Sequence, residues 1–479
     1  MRSFQKIAIM LIALLSSYHW AASADCADYQ QVSGLIDLRT TFSDGAYDLK
    51  FIVELAREKG FRVLVFNDHD RMTMEYGLPP FQNIMKKRVE RNSINEKGAE
   101  EYLRSIKEIN SAYPDMILIA GSETTPFYYW SGSFFRKNLT AHNHERRILT
   151  IGLEKAEDYQ NLPILHNGLS TRFSGTFMPA IFLFCIPLFL GLALLRLKGF
   201  YRVAGIAIVT LSILFVINAN PFRSSPFDQY HGDQGIAPYQ LLIDYVNAKG
   251  GMSFWNYPET KSGIRKMGPI YLHTAPYPEV LMKSTGYSGF AALYGDEITA
   301  TEPGNIWDEV LKEYCAGKRA LPAWGIATAD FHREGESGEL LGNFPTVFLV
   351  KTRTKEEILQ ALRSGKMYAC RGKHPAMAKL EEFSVISSNG AVKGISGDEI
   401  TVKGLPRIRI SLSSTIRTDN LVRVRLIRSG RVIARFGGQL PLEIEYEDKD
   451  IKKEEKEYYR MDCYGYGTIV SNPIFVIRK

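Results

Sequence analysis

The sequence predicts an α/β barrel that is interrupted by a membrane hairpin and followed by a small all-β domain. Three observations carry this. Short apolar strands alternate with amphipathic helices and end in polar clusters; two charge-free apolar runs sit mid-chain; and from about residue 378 the pattern turns to short strands with Gly/Asn/Asp turns. At 479 residues, with 45% hydrophobic and 23% charged, the chain has room for two or three domains and ample core. The net charge of +7 is modest and the basic residues are dispersed, so nucleic-acid binding is not indicated.

Residues 1–24 read as a signal peptide. Arg2 and Lys6 precede the apolar run Ile7 to Leu15, and Ala22-Ser23-Ala24 offers a cleavage site. The run is short for a span. An uncleaved anchor is the alternative, and Asp25 ahead of Cys26 argues against a lipoprotein. Either way the chain is exported, which permits disulfides among its five cysteines. Cys185 lies in an apolar segment, leaving Cys26, Cys315, Cys370 and Cys463; none has zinc-motif spacing, and the default reading is small core residues.

The first part of the barrel is placed at 25–174. Leu35 and Ile36 form an apolar strand that ends in the turn Thr40 to Gly45. A helix follows, with Leu49, Ile52, Val53, Leu55 and Ala56 as its stripe and Gly60 at its end. Phe61 to Phe66 is a strand buried on both faces, delivering Asp68, His69 and Asp70. Pro80 to Ser111 is polar and helix-favouring, with Leu103, Ile106 and Ile109 as a packing stripe. Met116 to Ala120 is a strand leading to Glu123, and Arg147 to Leu153 is another. Polar residues at strand ends are where barrels build their active sites.

A membrane hairpin is expected at 175–220. Thr176 to Leu195 is about twenty residues without a charge, and Val203 to Ala219 is about the minimum spanning length. Buried core helices are rarely so uniformly apolar, and Pro179 and Pro187 are better tolerated in a membrane. Arg196, Lys198 and Arg202 put the intervening turn on the cytoplasmic side, with both flanks outside, the side an exported N-terminus reaches.

The second part of the barrel is placed at 221–377. Tyr239 to Ala248 is a helix, and Met252 to Trp255 is a strand ending in Asn256-Tyr257-Pro258-Glu259. Phe290 to Leu293 leads to a further strand end, Trp307 to Tyr314 is a helix, and Ala323 to Ala329 delivers Asp330 and His332 to one face. Thr354 caps a final helix, with Glu357 placed for a capping box. Residues 378–479 read as a β-sandwich-like domain, with a hairpin turning at Ser429-Gly430.

Ser43-Asp44-Gly45, Asp68-His69, Gly121-Ser122-Glu123 and Asp330-Phe331-His332 resemble, in order, the motifs of the PHP (polymerase and histidinol phosphatase) family. These are metal-dependent phosphoesterases on a distorted (β/α)7 barrel. The resemblance implies metal ligands at Asp37, Asp44, His69, Glu123, Asp330 and His332. It also implies divalent metal ions (Mn, Fe or Zn) as cofactors. The chain departs from the family where Asp37 and Arg39 replace a His-x-His pair, and where Arg147 and Tyr257 replace two further ligand histidines. His144 lies three residues before Arg147 and reads as a loop histidine. Fewer than the family's three ions are therefore expected, with Arg39 and Arg147 binding substrate phosphate in place of the missing charge.

Two functions follow. One is a membrane-anchored, extracytoplasmic hydrolase (periplasmic in a Gram-negative cell) acting on a phosphoester through metal-activated water. The other is a catalytically degenerate barrel that binds or senses a ligand. The expected partners are the lipid bilayer and a phosphorylated or anionic small molecule. A transporter is disfavoured, since neither span carries an acid or a base.

Overall fold

The computed structural model describes residues 29–335 and 340–479. The signal peptide expected at 1–24, and Cys26, lie outside the described residues. The barrel is built from β1 (Gln30–Leu38), β2 (Val63–Phe66), β3 (Ile117–Thr124), β4 (Arg147–Ile151), β5 (Met252–Asn256), β6 (Gly289–Leu293) and β7 (Trp324–Ala327). They lie side by side in chain order within one 15-stranded sheet. The sheet curls until the segment after β7 meets β1. Ala329 N–H donates to the Ile36 carbonyl at 3.0 Å, and Arg39 N–H to the Phe331 carbonyl at 2.9 Å.

Burial explains the strand composition. Every residue of β2, β5, β6 and β7 is buried, as two-sided packing requires. The helices Leu49–Glu58, Ala237–Ala248, Ile306–Cys315 and Lys355–Ser364 bury Ile52, Val53, Leu242, Val310 and Leu362 in the same core. Asp48 caps the first of these, its side chain accepting from Phe51 N–H at 2.8 Å. Thr354 caps the last, but Glu357 reaches the Lys351 N–H at 3.3 Å, so the expected capping box is made on one side only.

Two elements differ from the sequence expectation. β4 runs antiparallel to both β3 and β5. A parallel return needs a long crossover, usually a helix. The link from β3 to β4 holds only the short strands Tyr129–Ser131 and Thr140–His142, so the chain turns straight back. Arg147, which begins β4, therefore sits beside Thr124 and Glu123, which end β3. The second difference lies in 80–111, where helix is confined to the short Ile94–Lys97 and to Ala99–Ala112. Lys86–Arg91 instead pairs antiparallel with Met72–Gly77.

Ser174–Leu194 and Phe200–Ala219 are helices long and apolar enough to cross a membrane. Little of either is covered by protein; Phe182, Phe189 and Phe200 are each more than half exposed. They pack on each other through Gly191 and Gly205. A Cβ on Gly205 would lie 2.9 Å from the Gly191 carbonyl oxygen, so the backbones can approach this closely only without side chains.

The β-rich C-terminal region is not cut off from the barrel. Pro345–Val350 pairs with β1, then Met367–Arg371 carries the same sheet on into Thr468–Ser471, Lys456–Tyr464 and Leu421–Arg428. Alternation along these joining strands serves two cores: Phe348, Val350, Met367 and Ala369 face one, Val347, Tyr368 and Cys370 the other. The second core is closed by Ala378–Ile386, Arg407–Ser414 and Leu442–Glu447 of a separate four-stranded sheet. Leu421–Arg428 and Arg431–Gln439 form the hairpin, with Ser429 and Gly430 both at positive φ.

The four described cysteines are free. Cys370 and Cys463 flank Ile469 from opposite sides, two strand spacings or about 9.6 Å apart, beyond disulfide reach.

One buried ion pair crosses from barrel to β-rich region. Arg460 Nε and Nη2 donate to Asp308 at 2.8 and 2.7 Å, both side chains fully buried, with Tyr458 Oη donating to the same carboxylate at 2.7 Å. Removing one partner strands a buried charge. Asp308→Ala is expected to cost about 3–5 kcal/mol, read as a lower urea midpoint in equilibrium unfolding.

Candidate functional site

The site forms where the curled sheet brings strand ends together. A bulge between β1 and β2 puts Asp37 at φ 75°, and Tyr257 and Asp330 each sit at φ 48°. Non-glycine residues in this region cost about 1–3 kcal/mol apiece and persist only where surroundings impose them. Asn67 fixes the first, accepting from Asp37 N–H at 3.1 Å.

At the centre is Arg39, fully buried. Its Nη1 lies 2.7 Å from Asp37 Oδ1, and its Nη2 lies 2.8 Å from Glu123 Oε2 and 3.4 Å from Asp330 Oδ1. Nη1 also donates to the Asn67 carbonyl. Arg147 Nη1 donates to Glu123 Oε2 at 2.8 Å from the opposite side. The remaining carboxylate oxygens are bound by Asn256, whose Nδ2 donates to Asp37 Oδ2 at 2.9 Å and Glu123 Oε1 at 2.8 Å. Tyr257 Oη donates to Asp37 as well. Burial pushes Asp37 up to about 6 against the pull of Arg39. Burial acts on Glu123 too, but Arg147 and Arg39 outweigh it and hold the carboxyl at about 2.

A second cluster adjoins the first. Asp44 Oδ2 lies 3.4 Å from His69 Nε2 and 3.5 Å from His332 Nε2. His69 Nδ1 faces Glu123 Oε2 at 3.5 Å, which joins the two clusters through one carboxylate. His332 Nδ1 lies 2.6 Å from the Asp330 carbonyl oxygen, so Nδ1 carries the proton and Nε2 turns to Asp44. Burial opposes ionisation of this pair. Even so, the neighbouring imidazoles of His332 and His69 hold Asp44 well below the usual carboxylate range, and Asp44 and Asp330 raise His332 to about 9.

The loop carrying Asp44 is pinned by Asp68. Its carboxylate accepts from Thr40 N–H and Oγ1, both at 2.8 Å, and from Ser43 N–H and Oγ at 3.1 and 2.6 Å. The match of Asp68 to the family motif is thus accounted for by a structural task. Asp70, pushed up to about 7 by burial, accepts from Thr124 Oγ1 at 2.7 Å and stays out of both clusters.

A small cleft opens beside this network, with His69, Arg71, Tyr128, His144 and Arg147 among its walls. Burial, then Arg147 and His69, push His144 down to about 3, so it is a neutral wall residue. Sequence reasoning missed Asn67 and Asn256. Both follow a strand's last apolar residues, a signal that distinguishes neither from an ordinary turn.

Among the described residues, no group of three or more His, Cys, Asp or Glu stands ready to hold a metal ion. The arrangement that comes nearest is Asp44, His69 and His332. Its Nε2 to Oδ2 separations of 3.4 and 3.5 Å are those of neighbouring ligands around one tetrahedral ion, with bonds of about 2.1 Å. His69 Nε2 is also buried without a hydrogen-bond partner. The donor types of this trio suit one ion, but its side chains are not drawn together into a ligating group. Asp37, Glu123 and Asp330 do not fit the others, because Arg39 occupies the space between them.

No family model matches the chain, and no curated protein is significantly similar to it. Several solved structures match the chain at low identity and with low overall superposition. One is a two-domain Bacteroides vulgatus protein containing a predicted PHP-like metal-dependent phosphoesterase; it is 13% identical, covers 92% of this chain and 96% of its own, and has a TM-score of 0.36. A Bifidobacterium adolescentis protein described as a metal-dependent phosphoesterase is 15% identical over 68% of this chain and 95% of its own, with a TM-score of 0.29. A Chromobacterium violaceum amidohydrolase, with sulfate bound and no metal, is 11% identical over 64% and 89%, with a TM-score of 0.28. Similarity at this level says nothing of activity.

Two outcomes follow from the charges. Arg39→Met leaves Asp37 buried without a counter-charge and Glu123 with Arg147 alone, and should cost about 3–5 kcal/mol at pH 7 by urea unfolding. The raised His332 contributes stability that is complete below about pH 6.5 and lost as pH rises through about 9. In chelator-treated protein, the melting-temperature gap between wild type and His332→Asn should therefore shrink across that window.

Proposed function

We propose that the chain is a membrane-anchored, extracytoplasmic hydrolase of PHP type, acting on a phosphoester with one divalent ion in place of the family's three. The observation that carries this reading is the convergence of His69 and His332 Nε2 on Asp44 beside the arginine-lined cleft. When bound there, a divalent ion would supply Lewis acidity for water activation. Mn, Fe and Zn all suit one carboxylate and two imidazoles. The rest belongs to the chain's own residues. Arg147 and Arg71 offer guanidinium groups to phosphoryl oxygens from the cleft wall, and Arg39 adds a fixed buried charge behind them. The His332 proton on Nδ1 is held by the Asp330 carbonyl, which leaves Nε2 free to ligate.

The membrane part of the proposal is supported by the two apolar helices and by the basic turn of Arg196, Lys198 and Arg202; in this reading the turn faces the cytoplasm and the barrel lies on the other side.

A second reading, a barrel that binds an anionic ligand without hydrolysing it, is favoured by Arg39. With Asp37, Glu123 and Asp330 already neutralised, the strand ends are held together with no ion at all.

Elemental analysis of detergent-purified protein separates the two. The hydrolase reading expects about one tightly held Mn, Fe or Zn per chain, lost in Asp44→Ala/His332→Ala; its absence after reconstitution favours the binding module. If Arg39 replaced a ligand histidine, Asp37→His/Arg39→His should raise the metal content above wild type.

A further inference from the structure

One face of the strand pair Met72–Gly77 and Lys86–Arg91 carries no acidic residue. The cross-strand pairs Met72–Arg91, Met74–Val89 and Tyr76–Lys87 set the faces, so these residues and Met85 share one side. Glu75 and Glu90 lie on the other, where they pair with Lys86 and Arg88. Met74 and Tyr76 pack back against the core, Tyr76 on Trp130 and Tyr230, so the free part of this face is Met85, Lys87, Val89 and Arg91, with Met85 and Val89 54% and 51% exposed. Neither Lys87 nor Arg91 is ion-paired among the described residues.

The turn of this strand pair is fastened to the apolar helices. The Phe81 ring lies 5.0 Å from Phe215, which stacks on Phe184 at the same distance. Asn83 N–H donates to Asn218 Oδ1 at 2.9 Å, and Asn83 Nδ2 to the Asn218 carbonyl at 2.6 Å. Phe215 and Asn218 belong to the last turn and a half of Phe200–Ala219, so the strand turn stands at the level where that helix leaves the apolar layer. Around the same neck, Leu169 is 81% and Phe222 46% exposed, and the Arg223 guanidinium lies 4.6 Å over the Phe177 ring. Apolar side chains with cations set just beyond them are what the headgroup boundary of a bilayer accepts.

We propose that this turn and the acid-free face of the strand pair are an interfacial docking surface for anionic lipid, which holds the barrel against the bilayer. The proposal rests on the reading of the two helices as membrane-spanning. The bilayer is the occupant because the surface is continuous with those helices through Phe81 and Asn83, and because its unpaired charges are all positive.

The test uses the full chain in vesicles of phosphatidylcholine, with or without phosphatidylglycerol, and doxyl-labelled lipid as quencher. Fluorophore is placed on the native Cys185 within the first helix, and on Met85→Cys and Ile416→Cys, each read as excess over the unmutated chain. Label at 85 should be quenched about twofold or more, most strongly with phosphatidylglycerol, while label at 416 is unaffected. Lys87→Glu should lower the ratio of docked to undocked label at 85 about fivefold in anionic vesicles, with Cys185 unchanged. Quenching at Cys185 without quenching at 85 overturns the docking surface and leaves the spans standing. Quenching at 85 that ignores both phosphatidylglycerol and Lys87→Glu overturns the lipid specificity. No quenching at Cys185 removes the membrane reading and the docking surface with it.

Discussion

A guanidinium with no exposed surface ties together strand ends that would otherwise repel one another. Asp37, Glu123 and Asp330 come from three separate strand ends, and Arg39 touches all of them. In a metal-dependent barrel that cohesion would fall to cations. Here a side chain supplies it permanently, so the mouth of the barrel can fold with no ion present. The price of that independence is that the same carboxylates are no longer available as ligands. Replacing such a buried network with apolar residues is often tolerated, but removing one member is not, because the others remain charged and dry.

The two clusters are not independent. Glu123 receives Arg39 and Arg147 at 2.8 Å each and faces His69 at 3.5 Å. Whatever enters the trio of Asp44, His69 and His332 is thus felt by the arginine network through a single carboxylate. Asp68 sets the other side of the relationship: its four hydrogen bonds hold the loop that presents Asp44. Backbone conformation at Asp37, Tyr257 and Asp330 adds a third constraint, since left-handed φ at a non-glycine residue must be imposed by its neighbours.

What was legible in the sequence was local. The Thr354 cap, the stripe of Leu49–Glu58, the Ser429-Gly430 turn and the apolar helices depend on residues a few positions apart. The direction of β4 did not, because it follows from what the preceding link lacks. Lys86–Arg91 has a composition that suits a helix, and only its partner strand makes it β. Arg39 could be recognised as a residue unable to ligate metal, but its partners lie 84 and 291 positions away for Glu123 and Asp330, and no local pattern reports them. Asn256 was hidden for the same reason, as its carboxylate partner Asp37 is 219 positions distant.

The apolar helical hairpin interrupts the chain between two strands that pair directly, β4 and β5, with Arg147 opposite Asn256. Its neck is narrow: Leu169 and Arg223 form a bridge, and Ser170 N–H donates to the Phe222 carbonyl at 3.3 Å. During synthesis the strands before the hairpin emerge first and must wait, edge exposed, until both apolar helices have been made and β5 arrives. Closure of the sheet is thereby made to wait on the hairpin, and over that interval the β4 edge is an unpaired one, of the kind that invites wrong pairing.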